Sequence, residues 1–272
     1  MTRFALTGLA GYIAPRHLKA IKEVGGVLVA SLDPATNVGL VDSFFPEAEF
    51  FTEPEAFEAY LEDLRDRGEG VDYLSIASPN HLHYPQIRMA LRLGANALSE
   101  KPLVLWPEEI ARLKELEART GRRVYTVLQL RVHPSLLALK EGLGQEKWYG
   151  KSWKVDEAKS GGLATNFGIH FFDLLAWLFG RALHVEVHAR TPTVNAGYLE
   201  LEGARVRWFL SIDPSFVPEP LRRQGKRTYR SIAVDGEEVE FSEGFTDLHT
   251  EVYRKTLAGE GFGLDEAAEA IR

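Results

Sequence analysis

The chain contains no cysteine, which removes disulfides, thiol nucleophiles and cysteine-held metals from its chemistry. Methionine, asparagine and glutamine are scarce and arginine outnumbers lysine, a composition that leans towards a thermophilic source. No apolar run approaches the roughly 20 residues that a membrane-crossing helix needs. Met1 leads straight into a strand, which leaves no stretch for a signal peptide and sets a cytoplasmic expectation. Basic excess is also missing: the net charge is −7 and the pI near 5.7, against the basic surface that general nucleic-acid binding uses. Neither a membrane nor a nucleic acid is expected as a partner. What is present is an ordinary globular mixture, 45% hydrophobic and 26% charged, in 272 residues, enough for two domains.

The stretch from Val71 to Val104 organises the rest. Val71 to Ala77 is a nearly continuous apolar run, as a parallel strand buried on both faces requires. Pro79 ends it. Tyr84 to Leu93 has helical spacing and stops at Gly94. A second strand, Ala95 to Leu98, then runs into Glu100, Lys101 and Pro102. Strand, helix and parallel strand collect polar residues at the strand ends, where open α/β sheets bind their ligands.

The chain opens with a strand, Phe4 to Thr7, followed by Gly8, Leu9, Ala10, Gly11, Tyr12 and Ile13 and a helix from about Pro15. Such a glycine turn before a helix makes an anion site for a diphosphate. The match to G-x-G-x-x-G is incomplete, with Ala10 and Ile13 at the second and third glycine positions and Gly11 extra. Val27 to Asp33 is a second strand that ends in an acid. A carboxylate there holds a ribose hydroxyl pair and disfavours a 2′-phosphate, so NAD is preferred to NADP; the alternative is a turn cap before Pro34. Ala48 to Thr52 reads as a strand, Pro54 to Arg67 and Pro107 to Thr120 as helices, and Arg123 to Leu130 as the last strand of this sheet. A dinucleotide-binding domain over 1–122 and a second domain over 123–272 follow.

The second half has a different texture. His184 to Arg190, Tyr198 to Leu201, Ala204 to Ile212, Tyr229 to Val234 and Glu237 to Phe241 are β-rich, and Asp235 with Gly236 signals a hairpin. Helices are expected at Phe167 to Phe179, Asp247 to Leu257 and Asp265 to Ile271. This is an α+β domain with a mixed or antiparallel sheet and helices on one face.

Among candidate site residues, Lys101 at a strand end suits a substrate hydroxyl, as hydrogen-bond donor or as base; the bland alternative is an exposed loop lysine. His170 opens an apolar helix, and Asp173 one turn on can share its face and orient the imidazole; His170 is expected as the base and Lys101 as the group polarising the hydroxyl, roles that a strongly lowered lysine pKa would reverse. A metal at His81 and His83 lacks a third ligand, and no metal is expected. Arg131 meets either an anion or a surface acid. The basic loop Arg222 to Arg230 suits a diphosphate, a subunit contact or plain solvent.

Taken together, Glu100-Lys101-Pro102, Pro79-Asn80 with His83, and Gly168, His170 and Asp173 resemble the shared motifs of the Gfo/Idh/MocA family of NAD(P)-dependent sugar oxidoreductases. The likeness covers nearly the whole chain. It is nearest to the branch acting on UDP-N-acetyl-2-amino-2-deoxyglucuronate in bacterial O-antigen synthesis, through Gly11 to His17, Leu128 to Arg131, Ala164 to Asn166, Ala204 to Leu210 and Phe241 to His249.

The resemblance implies oxidation of the sugar C3 hydroxyl to a 3-keto sugar with tightly held NAD, recycled in some relatives by 2-oxoglutarate. It implies a catalytic pair, Lys101 and His170. Cofactor contacts would come from Gly8, Gly11, Tyr12, Ile13, Asp33, Ser78, Asn80, His83, Glu100 and Lys101. The sugar pocket would be lined by Lys101, Arg131, Trp153, Thr165, Asn166 and His170; the wider family often has Asp at the place of Asn166. A homo-oligomer, with a tetramer favoured, is expected. One departure stands out: the family has a strand and turn between the positions of Lys147 and Trp148, and this chain has nothing there. A dehydrogenase of another sugar or polyol, and an NAD-binding scaffold without turnover, are the alternatives.

Overall fold

In a computed structural model, residues 1–35, 39–142, 149–151, 164–234 and 237–271 are described. Trp153, the side chain of Asn166 and the junction of Lys147 with Trp148 lie outside them. The chain divides into two compact units, Met1–Val127 with Asp247–Ala268, and Leu128–Thr246 with Glu269–Arg272.

The first unit is built on β1 (Arg3–Thr7), β2 (Val27–Leu32), β3 (Glu49–Phe51), β4 (Tyr73–Ile76), β5 (Asn96–Ser99) and β6 (Val124–Thr126). They form one parallel sheet in the order β3-β2-β1-β4-β5-β6. This is a Rossmann sheet, with its strand order reversing between β1 and β4. The central strands are buried almost throughout, Phe4, Leu6, Leu74, Ile76 and Leu98 completely. Each such side chain contributes about 1.5–3 kcal/mol. Helices α1 (Ala14–Glu23), α2 (Gly39–Phe44), α3 (Pro54–Asp66), α4 (His83–Arg92) and α5 (Pro107–Thr120) provide the connections. In α5, Pro107 starts the helix and Gly121, at φ +68°, ends it.

The last strand is shorter than its apolar run suggests. Residues 123–130 were expected as one strand, but β6 stops at Thr126 and Gln129–Val132 is a 3₁₀ turn. The reason is the partner: β5 ends at Ser99, whose carbonyl takes the last ladder bond, from Val127 N–H. Beyond it Leu128 and Leu130 are buried without pairing.

The second unit contains α6 (Pro134–Gly142), β7 (Tyr149–Lys151), a π turn at Ala164–Gly168 and α7 (Ile169–Phe179). It continues with β8 (Ala182–Arg190), β9 (Val194–Leu201), β10 (Arg205–Ser211), the short helix α8 (Glu219–Arg223), β11 (Ser231–Val234) and β12 (Glu237–Glu240). Its strands form two antiparallel three-stranded sheets, β10-β9-β8 and β12-β11-β7. β11 and β12 pair on either side of 235–236, where a hairpin was expected. On β9 and β10 alternate residues turn inward, and Leu199, Val206, Trp208 and Leu210 pack with Leu174 and Phe179 of α7.

Helix α9 (Leu248–Leu257) returns to the first unit, whereas the sequence reading assigned everything after residue 122 to the second domain. It docks on α1: Thr250 Oγ1 donates to Glu23 Oε2 at 2.7 Å, and Leu248, Val252 and Tyr253 are buried. The final helix is α10 (Leu264–Ile271).

Candidate functional site

Four loops at the carboxyl ends of β1, β2, β4 and β5 bring together most of the cofactor residues expected from sequence. The turn after β1 depends on Gly8, at φ +82°, where a Cβ would come within 2.4 Å of the Ala77 backbone after β4. Only glycine allows the two strand ends to meet so closely. Gly11 closes the turn onto the Gly8 carbonyl at 3.0 Å, and α1 begins after Ile13 without a side-chain cap. Ala14 N–H reaches the Gly11 carbonyl at 3.1 Å and Arg16 N–H the Ile13 carbonyl at 3.0 Å, so what this end offers an anion is chiefly the positive end of the helix dipole. Tyr12 projects into solvent, 89% exposed.

Asp33 stands just past β2, with one carboxylate oxygen 2.9 Å from Ala10 N–H and the other 2.9 Å from Ala35 N–H. It thus touches the glycine turn and caps its own turn at once. The residues present fit a dinucleotide: a helix start with no side-chain cap, a turn that Gly8 brings against the Ala77 backbone, and a carboxylate beside it.

Behind the turn, Gln86 Oε1 accepts from Thr7 Oγ1 and Ser78 Oγ, each at 2.7 Å, which ties β1 to the loop after β4. Asn80 opens a short 3₁₀ turn. His83 is fully buried; Nδ1 lies 2.7 Å from the Pro102 carbonyl and Nε2 2.9 Å from that of Ser78. It therefore fastens the β4 loop to the β5 loop. Burial lowers its pKa, outweighing the two carbonyls, which favour protonation.

The loop after β5 carries Glu100, Lys101 and Pro102, with a cis bond before the proline. Glu100 faces inward and is buried, and its Oε1 takes hydrogen bonds from His17 Nε2 at 3.1 Å and His249 Nε2 at 2.8 Å. Burial alone would raise the Glu100 pKa, but these two donors hold it well below the usual carboxylate value. Lys101 is partly buried; desolvation lowers its pKa, while the Glu100 charge pulls the other way.

In the second unit, Arg131 is paired rather than open: Nε and one terminal nitrogen reach the two oxygens of Asp173 at 3.0 and 2.6 Å. The surface acid considered for Arg131 is thus a buried one on α7. The same bonds engage the carboxylate expected to orient His170, which lies in the first turn of α7. Thr165 sits in the preceding π turn, half-buried. Arg222 to Thr228 of the basic loop are exposed, and Arg223 and Lys226 pair with Glu219 and Glu243.

Sequence reasoning gave no role to His17, Gln86, His249 or Tyr253, although His17 and His249 close two of the segments that carry the family resemblance. A signal existed for His17, which falls at helical spacing with Ala14, Leu18 and Ile21 on the buried face of α1.

Residues 2–128 match the model of an oxidoreductase family, the NAD-binding Rossmann fold of GFO_IDH_MocA, and residues 139–219 that family's C-terminal alpha/beta domain. Among solved structures, the chain is similar to the WlbA (WbpB) dehydrogenase of Thermus thermophilus in complex with NAD and UDP-GlcNAcA. Identity is 91% and the TM-score 0.95, covering 100% of this chain and 93% of that one. The same enzyme in complex with NAD and alpha-ketoglutarate matches at 92% identity and a TM-score of 0.96, with the same coverage. An uncharacterized oxidoreductase of Rhizobium meliloti, ORF334, is 30% identical over 143 residues, 49% of this chain and 38% of its own length. The match thus spans well under half of that curated relative.

Proposed function

The chain belongs to the Gfo/Idh/MocA oxidoreductase family, and from that premise we propose that it is an NAD-dependent sugar-nucleotide dehydrogenase. Its substrate in this reading is UDP-N-acetyl-2-amino-2-deoxyglucuronate, oxidised at the C3 hydroxyl to the 3-keto sugar for O-antigen synthesis. One observation carries the reading: identity of 91% along the whole chain to a dehydrogenase whose structure holds NAD and UDP-GlcNAcA. The alpha-ketoglutarate complex supports 2-oxoglutarate as the reoxidant that regenerates the cofactor in place.

NAD would be held by the turn from Gly8 to Ile13, by Asp33 and by the loops carrying Ser78, Asn80 and Lys101. When bound, it supplies the acceptor for the hydride that leaves C3. The chain's own task is the hydroxyl proton. Sequence alone gives His170 the role of base, because an ordinary lysine stays protonated near neutral pH. Two observations favour the opposite assignment. Burial lowers the pKa of Lys101. Asp173, both of whose oxygens accept from Arg131, is less able to pull a proton towards His170. Lys101 therefore takes the proton, and His170 is its partner on the sugar, with Arg131, Trp153, Thr165 and Asn166 as further sugar contacts.

We also assign a homo-oligomer, with a tetramer favoured, working in the cytoplasm where NAD and UDP-sugars are found. The support is β8, the end strand of its sheet, whose Leu183, Val185 and Val187 are 57–60% exposed. Light scattering of the purified protein measures the count, and a monomer would refute it. For the activity, single-turnover mixing of the NAD-loaded protein with UDP-GlcNAcA is followed at the NADH absorbance band. Reduction should occur in one fast phase and reverse on adding 2-oxoglutarate. Bound NAD that no UDP-sugar reduces would leave only a binding scaffold.

A further inference from the structure

Beside Lys101 lies a buried carboxylate, whose part in the chemistry rests on the reading that Lys101 moves the substrate proton. Glu100 Oε1 lies 3.1 Å from His17 Nε2 and 2.8 Å from His249 Nε2, and Glu100, His17 and His249 are 7%, 0% and 3% exposed. An ionised carboxylate only accepts, so both imidazoles donate through Nε2. With Nε2 carrying its proton, the Nδ1 of a neutral His17 is an acceptor. It stands 2.7 Å from the Tyr253 hydroxyl, which in turn lies 2.6 Å from Ser75 Oγ. The chain of donors then runs in one direction: Ser75 to Tyr253, Tyr253 to His17, His17 to Glu100. His249 Nδ1 has no partner among the described residues. The three ligand-type atoms lie within 4.8 Å of one another, as a metal site would need, yet this proton assignment uses all of them without an ion.

The other Glu100 oxygen accepts from the Lys101 backbone N–H at 3.3 Å, and the Glu100 charge opposes the burial that lowers the lysine's pKa. The carboxylate thus acts on Lys101 through its position and through its field. We propose that His17, from α1, and His249, from the returning helix α9, are positioning residues for Lys101: they fix the Glu100 carboxylate and with it the place and proton affinity of the lysine. Neither histidine needs to touch substrate or cofactor for this. Without one donor, the carboxylate becomes more basic and less hydrogen-bonded, strengthens its pull on the Lys101 proton and loosens the turn.

The test compares His249→Leu, which loses the donor, with His249→Gln, whose amide nitrogen reaches about as far as Nε2 and restores it. In His249→Leu, kcat should fall roughly 10- to 100-fold, the scale of a misplaced catalytic group, with the sugar KM within about twofold. The acid limb of kcat/KM should move up by about half a pH unit or more, since that limb reports the base of the free enzyme. His249→Gln should stay within about threefold of the parent kcat, with the limb unmoved, because the donor is back. NMR titration of ¹³C-methylated Lys101, assigned with Lys101→Arg, reads the same shift without turnover. If His249→Leu does not fold, His249→Asn, too short to reach Glu100, takes its place in every comparison.

Wild-type kcat and limb in the donor-less variant would overturn the proposal. So would equal impairment of the Leu and Gln variants, which is a packing effect, or a stoichiometric metal that is lost with His249. Full turnover in Lys101→Met would instead remove the underlying reading of Lys101, while the NMR titration would still decide whether His249 acts on that lysine.

Discussion

The pair between Arg131 and Asp173 gives the sharpest stability prediction. Their side chains are 8% and 2% exposed, and the guanidinium meets both carboxylate oxygens, at 3.0 and 2.6 Å. Replacing the acid by an apolar residue of similar size, Asp173→Leu, takes from a buried cation the carboxylate that meets it at two points. Breaking such a pair from one side costs about 3–5 kcal/mol. The ring of Trp177, 6.0 Å from the guanidinium, remains in the variant as a cation–π contact worth about 0.5–1 kcal/mol. The expected loss therefore lies towards the lower end, about 3 kcal/mol. With a urea m-value of about 2–3 kcal/mol/M, the unfolding midpoint drops by roughly 1–1.5 M. Tryptophan fluorescence is a suitable signal, because Trp177 and Trp208 both belong to this unit. The decisive variant is the double one, Arg131→Met with Asp173→Leu. Removing both charges removes the stranded cation, so the double variant should be more stable than Asp173→Leu alone. A midpoint unchanged by Asp173→Leu, or a double variant that loses the plain sum of its singles, would refute the argument.

At Gly8, alanine must adopt a left-handed conformation costing about 1–2 kcal/mol and place its Cβ 2.4 Å from the Ala77 backbone; NAD affinity by calorimetry should fall at least roughly tenfold, and parent-like affinity would show that the turn does not approach the cofactor. Asp33 predicts a strong preference for NAD, narrowed by Asp33→Ser with an arginine added nearby; equal binding of NAD and NADP by the parent would reduce Asp33 to its hydrogen bonds with Ala10 and Ala35. Burial lowers the pKa of His17 and His83, so below the ordinary histidine value near 6.5 the unfolded chain binds more protons than the folded one. Thermal midpoints should therefore decline as pH falls from about 6.5 towards the lower folded-state values, and depressed Glu100 adds a second loss below about 4.5. A flat profile from pH 7 to 5 would contradict the histidine part.

The Rossmann half was legible because its signals are local. Parallel strands buried on both faces read as short apolar runs, and Gly8, Asp33 and Lys101 stand at strand ends where the chain must turn. The same locality explains the misreadings. Val127, Leu128 and Leu130 continue an apolar run, but whether a run pairs depends on the neighbouring strand, and β5 has already ended at Ser99. Residues 248–257 carry a good helical pattern, yet nothing in that pattern says which unit they pack on. Arg131 and Asp173 were each identified, 42 positions apart, but their pairing is a tertiary fact.

Glu100 illustrates what a motif read along the chain leaves out, the tertiary partners of each of its residues. At the end of β5, successive side chains alternate in direction, so two neighbours cannot both face one ligand. The sequence reading gave Glu100 and Lys101 alike to the cofactor. In the fold Glu100 turns into the core, where His17 and His249 meet it, and only then can a buried carboxylate persist as an anion. Both donors come with helices of the first unit: His249 lies on α9, and Tyr253, one turn on, orders His17 of α1 through its hydroxyl.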